Sequence, residues 1–521
     1  MQTLKRLKYH IILILILAIG AFLRLYMIRD YLTFLGDEGR DVLVAYNILH
    51  GHLTFLGPTA SVGGFFLGPI YYYFMAPFLW LFHYDPVGPA VMVAFFGIAT
   101  IWLTYHMASE FFGKTAGITA SFLYAVSPLV VTYSHSSWNP NLMPFFSLLA
   151  LYLLYKAVVK ESFKLFLIVG ILFGILMQLH YLELFVGAAI MVYVIACEWH
   201  KKKLQNIIKN GALLFIGFLI GMSPFLAFEG RHGFPNTKSV FNFIFHSGET
   251  GSGMHFFQTV YNVFSRLFGR LILNFPADDK LKMYSSSTLQ IWMYASIALG
   301  LFSIGIFLYQ YKRVFSKTAK SAAGHVNFYK YTIIFLWLFF GVVLFGFYKK
   351  SIYDYYFEFM FPLPFLLIGN SLQFLFRKKL PFQIVAAVLF VALAFLNLRT
   401  PQFVQSANGQ LQNTEDIAKF VLDKTDNKPF NFALITGGNS DHAYRYFFTI
   451  WGHPPVTIQN PQVDPDRKTV TQQLMVVCEL NPCGPLGYSL YEVAGFGRAD
   501  ITGHWHVIVV DVYKLVHYKG K

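Results

Sequence analysis

An acidic cluster near the start of the chain has the residue types and spacing for general-base chemistry. It consists of Gly36-Asp37-Glu38 followed by Asp41. In a helix, Asp37 and Asp41 would share one face while Glu38 points elsewhere. A carboxylate held there could take the proton from an acceptor hydroxyl. Acidic side chains in a first helical turn also stabilise the helix dipole by about 0.3–1 kcal/mol, so a purely structural role stays open.

The segment from Asp37 to His50 predicts a helix that lies at a membrane surface. Gly36 precedes it, acidic residues occupy its first turn and Gly51 closes it. Its apolar faces are formed by Val42, Leu43, Tyr46 and Leu49.

Composition places this helix in a multi-span membrane protein. Of the 521 residues, 56% are hydrophobic and 13% are charged, against roughly 25% charged in a soluble protein. Apolar runs of about 20 residues, long enough to cross a bilayer, recur along the chain. The net charge of +15 lies in short connections between these runs, which is typical of cytoplasmic loops and not of nucleic-acid binding.

The basic clusters fix a predicted topology. We assign to the cytoplasm the connections that carry Lys114, Lys156 with Lys160 and Lys164, Lys201 to Lys203, Lys312 with Arg313, Lys317 and Lys320, and Arg377 to Lys379. Spans are then predicted near 9–29, 86–112, 115–133, 141–158, 164–180, 182–198, 211–229, 289–311, 331–348, 355–376 and 381–398. The first span follows Lys5, Arg6 and Lys8 and has no small-residue cleavage site, so we expect an uncleaved anchor with a cytoplasmic N-terminus. The acidic cluster then lies on the outer face.

One apolar segment, 68–82, is predicted to be re-entrant or to lie along the outer interface. Counting it as a crossing would invert every later loop, and Pro69 and Pro77 interrupt it.

The tail after Leu398 is polar and predicts a small extracytoplasmic α/β domain. A helix is expected to begin near Thr414, with strands at 430–436 and 507–512. A disulfide between Cys478 and Cys483 and two free thiols are both compatible with their spacing. We therefore divide the chain into a membrane domain, 1–398, with a first external loop at 30–85, and a soluble domain, 399–521.

Several segments of the membrane part resemble a known superfamily. They are Arg24 at the end of the first span, Asp37-Glu38 in the first external loop, Gly51, Gly68-Pro69-Ile70-Tyr71-Tyr72-Tyr73, Ser127-Pro128, and Ser223-Pro224 leading to Phe234. Together they look like the GT-C glycosyltransferases, in the branch with the protein O-mannosyltransferases and the aminoarabinose transferases that modify lipid A. The resemblance covers roughly residues 1–398.

This resemblance implies a GT-C-like fold of about 11–13 transmembrane helices in the plasma membrane. It also implies transfer of a sugar, with inversion, from a polyprenyl-phosphate donor to a hydroxyl on a lipid, glycan or protein acceptor. Asp37 would be the catalytic base and Glu38 its neighbour in the acidic pair. Aminoarabinose transferases have Glu-Lys before the loop proline, and that lysine helps to hold the phosphate. Here Leu67-Gly68 precedes Pro69, so another cation must do so.

Other basic residues are candidates for holding the donor phosphate, because guanidinium and ammonium groups suit phosphate oxygens. They are Arg40, Arg24, Arg231, Lys349 and Lys350. Arg24 lies within a span, where a cation needs a partner or reaches out to the interface. Lys349 and Lys350 are equally compatible with a solvated loop.

A second set of side chains is predicted to bind sugar or acceptor through stacking and hydroxyl contacts, although an aromatic belt would show the same pattern. It comprises Asp41, Tyr71, Tyr72, Trp138, Asn139, Tyr353, Asp354, Tyr356 and Glu358. His50, His52 and His180 with Glu183 define no metal-ligand spacing, so no protein metal site is predicted and a divalent cation is left open.

Two alternatives also fit a polytopic protein that handles lipid-linked sugars. A transporter or flippase would more often show internal symmetry and acidic residues in mid-span, which are scarce here. A glycan polymerase or ligase would centre on a large external loop with arginines, and the segment 228–288 with Arg266 and Arg270 keeps that open.

Overall fold

The protein is predominantly helical in this computed structural model, which describes residues 2–246, 255–317, 322–399 and 406–520. Lys320, which we placed in a cytoplasmic connection, lies outside the described residues. The helices are α1 (Gln2–Leu25), α2 (Ile28–Tyr31), α3 (Gly36–Leu49), α4 (Ile70–Leu81), α5 (Val87–Phe111), α6 (Lys114–Val126), α7 (Pro128–Tyr133), α8 (Met143–Lys160), α9 (Phe163–Leu179), α10 (Leu184–His200), α11 (Gln205–Gly221), α12 (Ser223–His232), α13 (Pro235–Phe245), α14 (Phe256–Ile272), α15 (Ser286–Lys317), α16 (Ala322–Val343), α17 (Pro362–Phe376), α18 (Leu380–Leu398), α19 (Gln410–Lys424), α20 (His442–Ile450) and α21 (Tyr491–Phe496).

Among the described residues, seven helices are long and apolar enough to cross a membrane, or nine if each of two bent pairs counts as one span. The bent pairs are α11 with α12, at 75°, and the short helix Asp354–Met360 with α17, at 52°. The predicted span 115–133 is also interrupted, because Ser127 is extended and Pro128 starts α7. Proline has no N–H to continue a helix, which explains breaks just before Pro128 and Pro224. Helix α4 has 12 residues, or roughly 18 Å of length, short of a bilayer crossing; its interfacial placement stays a prediction.

By contacts the chain forms two compact units, which we call the bundle unit and the sheet unit. The bundle unit comprises Met1–Tyr26, Thr54–Tyr71 and Val91–Ser406. The sheet unit comprises Met27–Leu53, Tyr72–Ala90 and Ala407–Lys521. The acidic helix α3 thus belongs to the same compact unit as the C-terminal residues.

Small residues let helices approach closely within the bundle unit. A Cβ built on Gly170 of α9 would lie 2.2 Å from the carbonyl oxygen of Leu214, and one on Gly217 of α11 would lie 2.2 Å from that of Leu167. Glycines at such crossings bring backbones into van der Waals contact, which favours helix association in a membrane.

The sheet unit contains four strands, β1 (Asn431–Ile435), β2 (Gln473–Cys478), β3 (Ala499–Val507) and β4 (Val510–His517), in the order β1-β2-β4-β3. Strands β1 and β2 are parallel, and the other two pairings are antiparallel. The predicted helix and first strand are confirmed by α19 and β1. The predicted strand at 507–512 is confirmed at Val507 and from Val510 to Val512, but a hairpin turn at Ile508 and Val509 divides the run between β3 and β4. A disulfide joins Cys478 and Cys483.

Candidate functional site

Two hydrogen bonds hold the first turn of α3. One lies within the turn itself, and the other comes from the C-terminal part of the sheet unit. The Leu35 N–H donates to Glu38 Oε2 at 3.1 Å, as in one half of a capping box. The Gly36 N–H donates to Asn439 Oδ1 at 2.8 Å, and Asn439 lies in the loop that follows β1. A Cβ on Gly36 would come 2.0 Å from Ser440 Oγ, so only glycine fits there. The acidic turn is therefore positioned by the C-terminal residues.

Arg40 joins the two aspartates that the sequence placed on one helix face. Its guanidinium contacts Asp37 Oδ1 at 2.8 Å and Asp41 Oδ1 at 2.8 Å. Tyr72 also takes part in hydrogen bonds with Arg40 and Asp41. Arg40 and Tyr72 therefore contact carboxyl groups of the acidic cluster.

The three carboxyl groups of the acidic cluster differ sharply in exposure. The Asp37 side chain is 58% exposed, whereas Glu38 is 7% and Asp41 is 0% exposed. Burial raises the pKa of Glu38 to about 7. Burial also raises the pKa of Asp41, to about 6, although Arg40 beside it acts in the opposite direction. Only Asp37 presents its carboxylate to solvent.

A second charged cluster lies in the bundle unit. Asp354, 9% exposed, accepts a hydrogen bond from Arg266 Nε at 2.9 Å and pairs with Arg270 Nη2 at 2.9 Å. Arg266 and Arg270 are one turn apart on α14, which brings both guanidinium groups to the same carboxylate. We call these three residues the arginine cluster. Two cations around one anion leave a net positive charge.

Tyrosines lie on both sides of Asp354 in the chain, and some of them contact residues from the N-terminal part of the bundle unit. The Trp138 and Tyr355 rings lie 4.4 Å apart between centroids. The hydroxyls of Tyr356 and Ser61 are 3.0 Å apart, and those of Tyr71 and Ser137 are 2.8 Å apart. Tyr353 is exposed and stacks on Tyr355 at 5.8 Å. Asn139 donates through Nδ2 to the Leu179 carbonyl at 2.6 Å. This hydrogen bond within the protein uses one donor of the Asn139 side-chain amide.

Arg24 does not reach out to an interface. Its side chain is fully buried, and Nη1 donates to the carbonyl oxygens of Gly20 at 3.2 Å and Ala125 at 2.9 Å. Among the described residues, its Nε and Nη2 have no hydrogen-bond partner. The alternative in which Arg24 extends to the membrane surface is therefore wrong. Glu358 is likewise fully buried, and neither of its carboxyl oxygens has a partner within the described ranges.

The remaining predicted cations lie at exposed positions of the bundle unit. Arg231, near the end of α12, places its guanidinium 5.6 Å from the Phe55 ring centroid. Lys349 and Lys350 are both exposed after α16. Their role as phosphate contacts stays a prediction.

No group of three or more His, Cys, Asp and Glu side chains comes together as a metal site in the part of the chain that the structure describes. His50 instead packs between Tyr46, at 4.1 Å, and Tyr84, at 5.9 Å. A divalent cation beside the donor phosphate stays an open prediction.

Sequence patterns did not single out three features of these clusters. Arg266 and Arg270 entered only as part of an alternative, although their i, i+4 spacing on an amphipathic helix could have paired them. The loop after β1 was assigned no role, yet Asn439 and Ser440 contact the start of α3. His442, whose Nδ1 lies 2.8 Å from Ser440 Oγ, interacts electrostatically with Arg40 and Asp37.

Comparison with known proteins agrees with this architecture. Residues 67–228 match the family described as dolichyl-phosphate-mannose-protein mannosyltransferase. The provisionally named mannosyltransferase YkcB of Bacillus subtilis (strain 168) is 33% identical over 123 residues, which are 23% of this chain and only 17% of that protein.

Two solved structures share the fold. ArnT from Cupriavidus metallidurans, bound to undecaprenyl phosphate, has a TM-score of 0.58 at 14% identity and covers 96% of this chain and 97% of its own. The oligosaccharyltransferase AglB from Archaeoglobus fulgidus, in complex with an inhibitory peptide and a dolichol-phosphate, has a TM-score of 0.54 at 13% identity, with 91% of this chain and 69% of its own covered. The chain therefore has the fold of these two membrane proteins, and its residues 67–228 resemble the mannosyltransferase family.

Proposed function

We propose that this glycosyltransferase moves a sugar from a polyprenyl-phosphate donor to an acceptor hydroxyl on the outer face of the cell membrane. The hydroxyl oxygen attacks the anomeric carbon as the bond from that carbon to the phosphate oxygen breaks. Asp37 takes the hydroxyl proton, and polyprenyl phosphate leaves. A single displacement of this kind inverts the anomeric configuration.

The observation that carries this proposal is the exposure of Asp37 among three neighbouring carboxyl groups. A general base must come within hydrogen-bond reach of the proton it removes. Glu38 and Asp41 are buried, whereas most of the Asp37 side chain is open. We therefore assign the base role to Asp37 and a positioning role to Glu38, which holds the Leu35 N–H.

Arg40 gives the base a fixed orientation. It contacts Asp37 with one side and the buried Asp41 with the other. A charge-assisted pair restricts the rotamers of the carboxylate that must meet the substrate. Asp41 and Tyr72 act through Arg40 in this proposal and do not touch the reacting atoms.

The arginine cluster is the best-supported phosphate contact within the bundle unit. Arg266 and Arg270 are held in place by Asp354 and keep a net positive charge. Guanidinium groups bind phosphate oxygens bidentately. They would take the place of the lysine that precedes the loop proline in aminoarabinose transferases, where this chain has Leu67-Gly68 before Pro69.

An apolar cavity in the same unit has room for a lipid chain. It encloses about 350 Å³ and is lined by side chains that include Phe65, Leu67, Tyr181, Phe243 and Tyr348. Apolar walls with a few polar groups are typical of sites for lipophilic ligands. The undecaprenyl phosphate and dolichol-phosphate bound by the two structural relatives support a donor of this class.

The test is turnover of purified protein with a panel of polyprenyl-phosphate sugars, followed by release of polyprenyl phosphate and by the anomeric configuration of the product. Asp37→Asn is expected to lower the rate by about 10²- to 10⁴-fold, the range for loss of a general base. Asp423→Asn, at an exposed aspartate of the sheet unit, is the matched control and should retain full activity. Near-normal turnover by Asp37→Asn would refute the base assignment, and donor translocation without release of polyprenyl phosphate would point to a transporter.

A further inference from the structure

A polar cavity lies at the end of the bundle unit away from the arginine cluster. It encloses about 350 Å³ and is lined by the last residues of α5 and by parts of α15, α16 and α17. Asp354 begins the short helix that precedes α17, whereas Asn370 lies in the second half of α17 and Arg377 directly follows its C-terminal end; both line this cavity. The 15 residues of α17 span roughly 22 Å, so the Arg377 end of the cavity is well separated from the arginine cluster.

The cavity walls hold hydrogen-bond donors without acceptors. Asn370 is 2% exposed, and its Nδ2 has no partner among the described residues. The same holds for Ser109 Oγ. A buried polar group left unpaired costs about 1–3 kcal/mol, so such groups in a native protein usually have a partner to bind. The Asn370 Nδ2 can only donate and the Ser109 hydroxyl can donate, so one ligand with acceptor oxygens would satisfy both.

The charge around the cavity is positive. Arg377 lies at its exposed rim, and its Nη2 donates to the Phe112 carbonyl at 3.3 Å, which leaves other guanidinium donors to reach a ligand. The one acidic side chain in the described lining, Glu110, is paired with Lys156 Nζ at 2.5 Å. Lys330 Nζ donates to the Glu110 carbonyl oxygen at 2.7 Å, adding a second cation beside the same helix end.

The cavity has room for a ligand larger than a single water molecule. One water occupies about 30 Å³ of liquid volume, far less than the roughly 350 Å³ available here. An anion with several acceptor oxygens fits a space walled by a guanidinium, an amide and a hydroxyl.

We propose that this cavity binds a phosphate group, with Arg377 as the charged contact and Asn370 and Ser109 as neutral donors. The phosphate can belong to the headgroup of an anionic lipid or to a free phosphate ester. The predicted topology puts this end of α17 on the cytoplasmic side, where anionic headgroups attract basic residues. The proposal does not rest on the sugar-transfer reaction.

The test measures binding to the full-length protein by native mass spectrometry. One arm titrates phosphatidylglycerol into protein in a neutral detergent, and the other titrates inorganic phosphate. Arg377→Gln and Asn370→Asp are expected to weaken binding about tenfold or more, as loss of a charge-assisted hydrogen bond or insertion of a like charge does. Lys379→Gln removes an equal charge from an exposed neighbour outside the lining and should change affinity less than about twofold.

Each result decides the proposal. Variant-sensitive binding of phosphatidylglycerol alone supports it and identifies a lipid headgroup as the ligand, whereas variant-sensitive binding of inorganic phosphate supports it with a free phosphate as sufficient. Absence of binding in both arms overturns it, as does equal affinity of wild type and Arg377→Gln. An equal loss in Lys379→Gln and Arg377→Gln also overturns it, because surface charge would then explain the binding. Arg377 is exposed, so its variant keeps the test decisive even if Asn370→Asp fails to fold.

Discussion

Gly39 of the acidic helix lies directly against the backbone of Ala443 in α20. A Cβ built on Gly39 would come 2.3 Å from the Ala443 nitrogen and 2.4 Å from its Cα. Both contacts are with backbone atoms, which cannot rotate away. The turn that carries Asp37 therefore packs against the first residues of α20, and it can do so only because Gly39 has no side chain.

Gly39→Ala is expected to separate α3 from α20 and to lower the stability of the sheet unit by about 1–3 kcal/mol, the usual cost of overpacking. Thermal unfolding and limited proteolysis of the C-terminal region measure this effect. Gly305→Ala is the control, because Gly305 lies within α15 with nothing within 4 Å of the added Cβ. Equal unfolding midpoints for Gly39→Ala and wild type would contradict the close contact between Gly39 and α20.

The stability of the sheet unit should depend on pH through Glu38. Burial raises the pKa of Glu38 to about 7, so the folded protein keeps a proton that the unfolded chain releases near pH 4.5. Folding stability should therefore fall as pH rises from about 4.5 to about 7. Asp41, with its pKa raised to about 6 by burial, adds to the same decline.

Glu38→Gln tests the contribution of Glu38 to this pH dependence. The amide keeps an oxygen for the Leu35 N–H and cannot ionise, so the variant should lose less stability than wild type between pH 5 and pH 8. The remaining decline belongs to Asp41. Parallel curves of unfolding midpoint against pH for the two proteins would show that Glu38 does not titrate in this window.

Loss of one guanidinium from the arginine cluster should weaken donor binding. Arg270→Gln leaves Asp354 paired with Arg266, so the fold is expected to persist. A hydrogen bond to a charged group contributes about 1.5–3 kcal/mol, which corresponds to an increase of about 10- to 150-fold in KM for the lipid donor. Lys312→Gln, at an exposed cation of the same unit that is predicted to face the cytoplasm, is the control. An unchanged KM in Arg270→Gln would remove the arginine cluster from the donor site.

Thiol counting tests the disulfide and the compartment in one experiment. With Cys478 and Cys483 joined, only the free and buried Cys197 should react with an alkylating agent after denaturation without reductant. Reductant should raise the count to all three cysteines. Intact mass measures both states. Three reactive thiols in protein from unreduced membranes would contradict both the bond and an oxidising environment.

Cys478→Ser should lower the free energy of unfolding of the sheet unit by about 2 kcal/mol, the loop-closure contribution of a short disulfide loop. Denaturant unfolding followed by a probe in the sheet unit measures this loss. Unchanged stability would mean that the bond does not constrain the unfolded chain.

The membrane helices were predictable because a run of about 20 apolar residues identifies a span without knowledge of its neighbours. Helix α3 was predictable for a similar reason, since its start and end signals are local. Strand β2 was missed because its short apolar run can be strand or buried helix. The hairpin turn at Ile508 and Val509 was missed because it has none of the Gly, Asn or Asp residues that signal a tight turn.

The chemistry of the site was predictable only in part. The local pattern identified Asp37, Glu38 and Asp41 together but could not rank them. Their ranking depends on burial, and the turn is positioned by Asn439, 403 residues away from Gly36. The pairing of Arg266 with Asp354 across 88 residues is equally invisible to any local pattern.

The make-up of the sheet unit has a consequence for how the protein is made. Its first stretch ends at Leu53, and its last begins at Ala407, so roughly 350 residues separate them. Translation proceeds at about 5–20 residues per second, so some 20 to 70 s pass between synthesis of α3 and synthesis of the C-terminal stretch that contacts it. During that interval the exposed backbone of Gly36 and Gly39 has no native neighbour. A chain released before residue 407 therefore lacks the residues that Gly36 and Gly39 contact, and its candidate catalytic turn cannot be assembled.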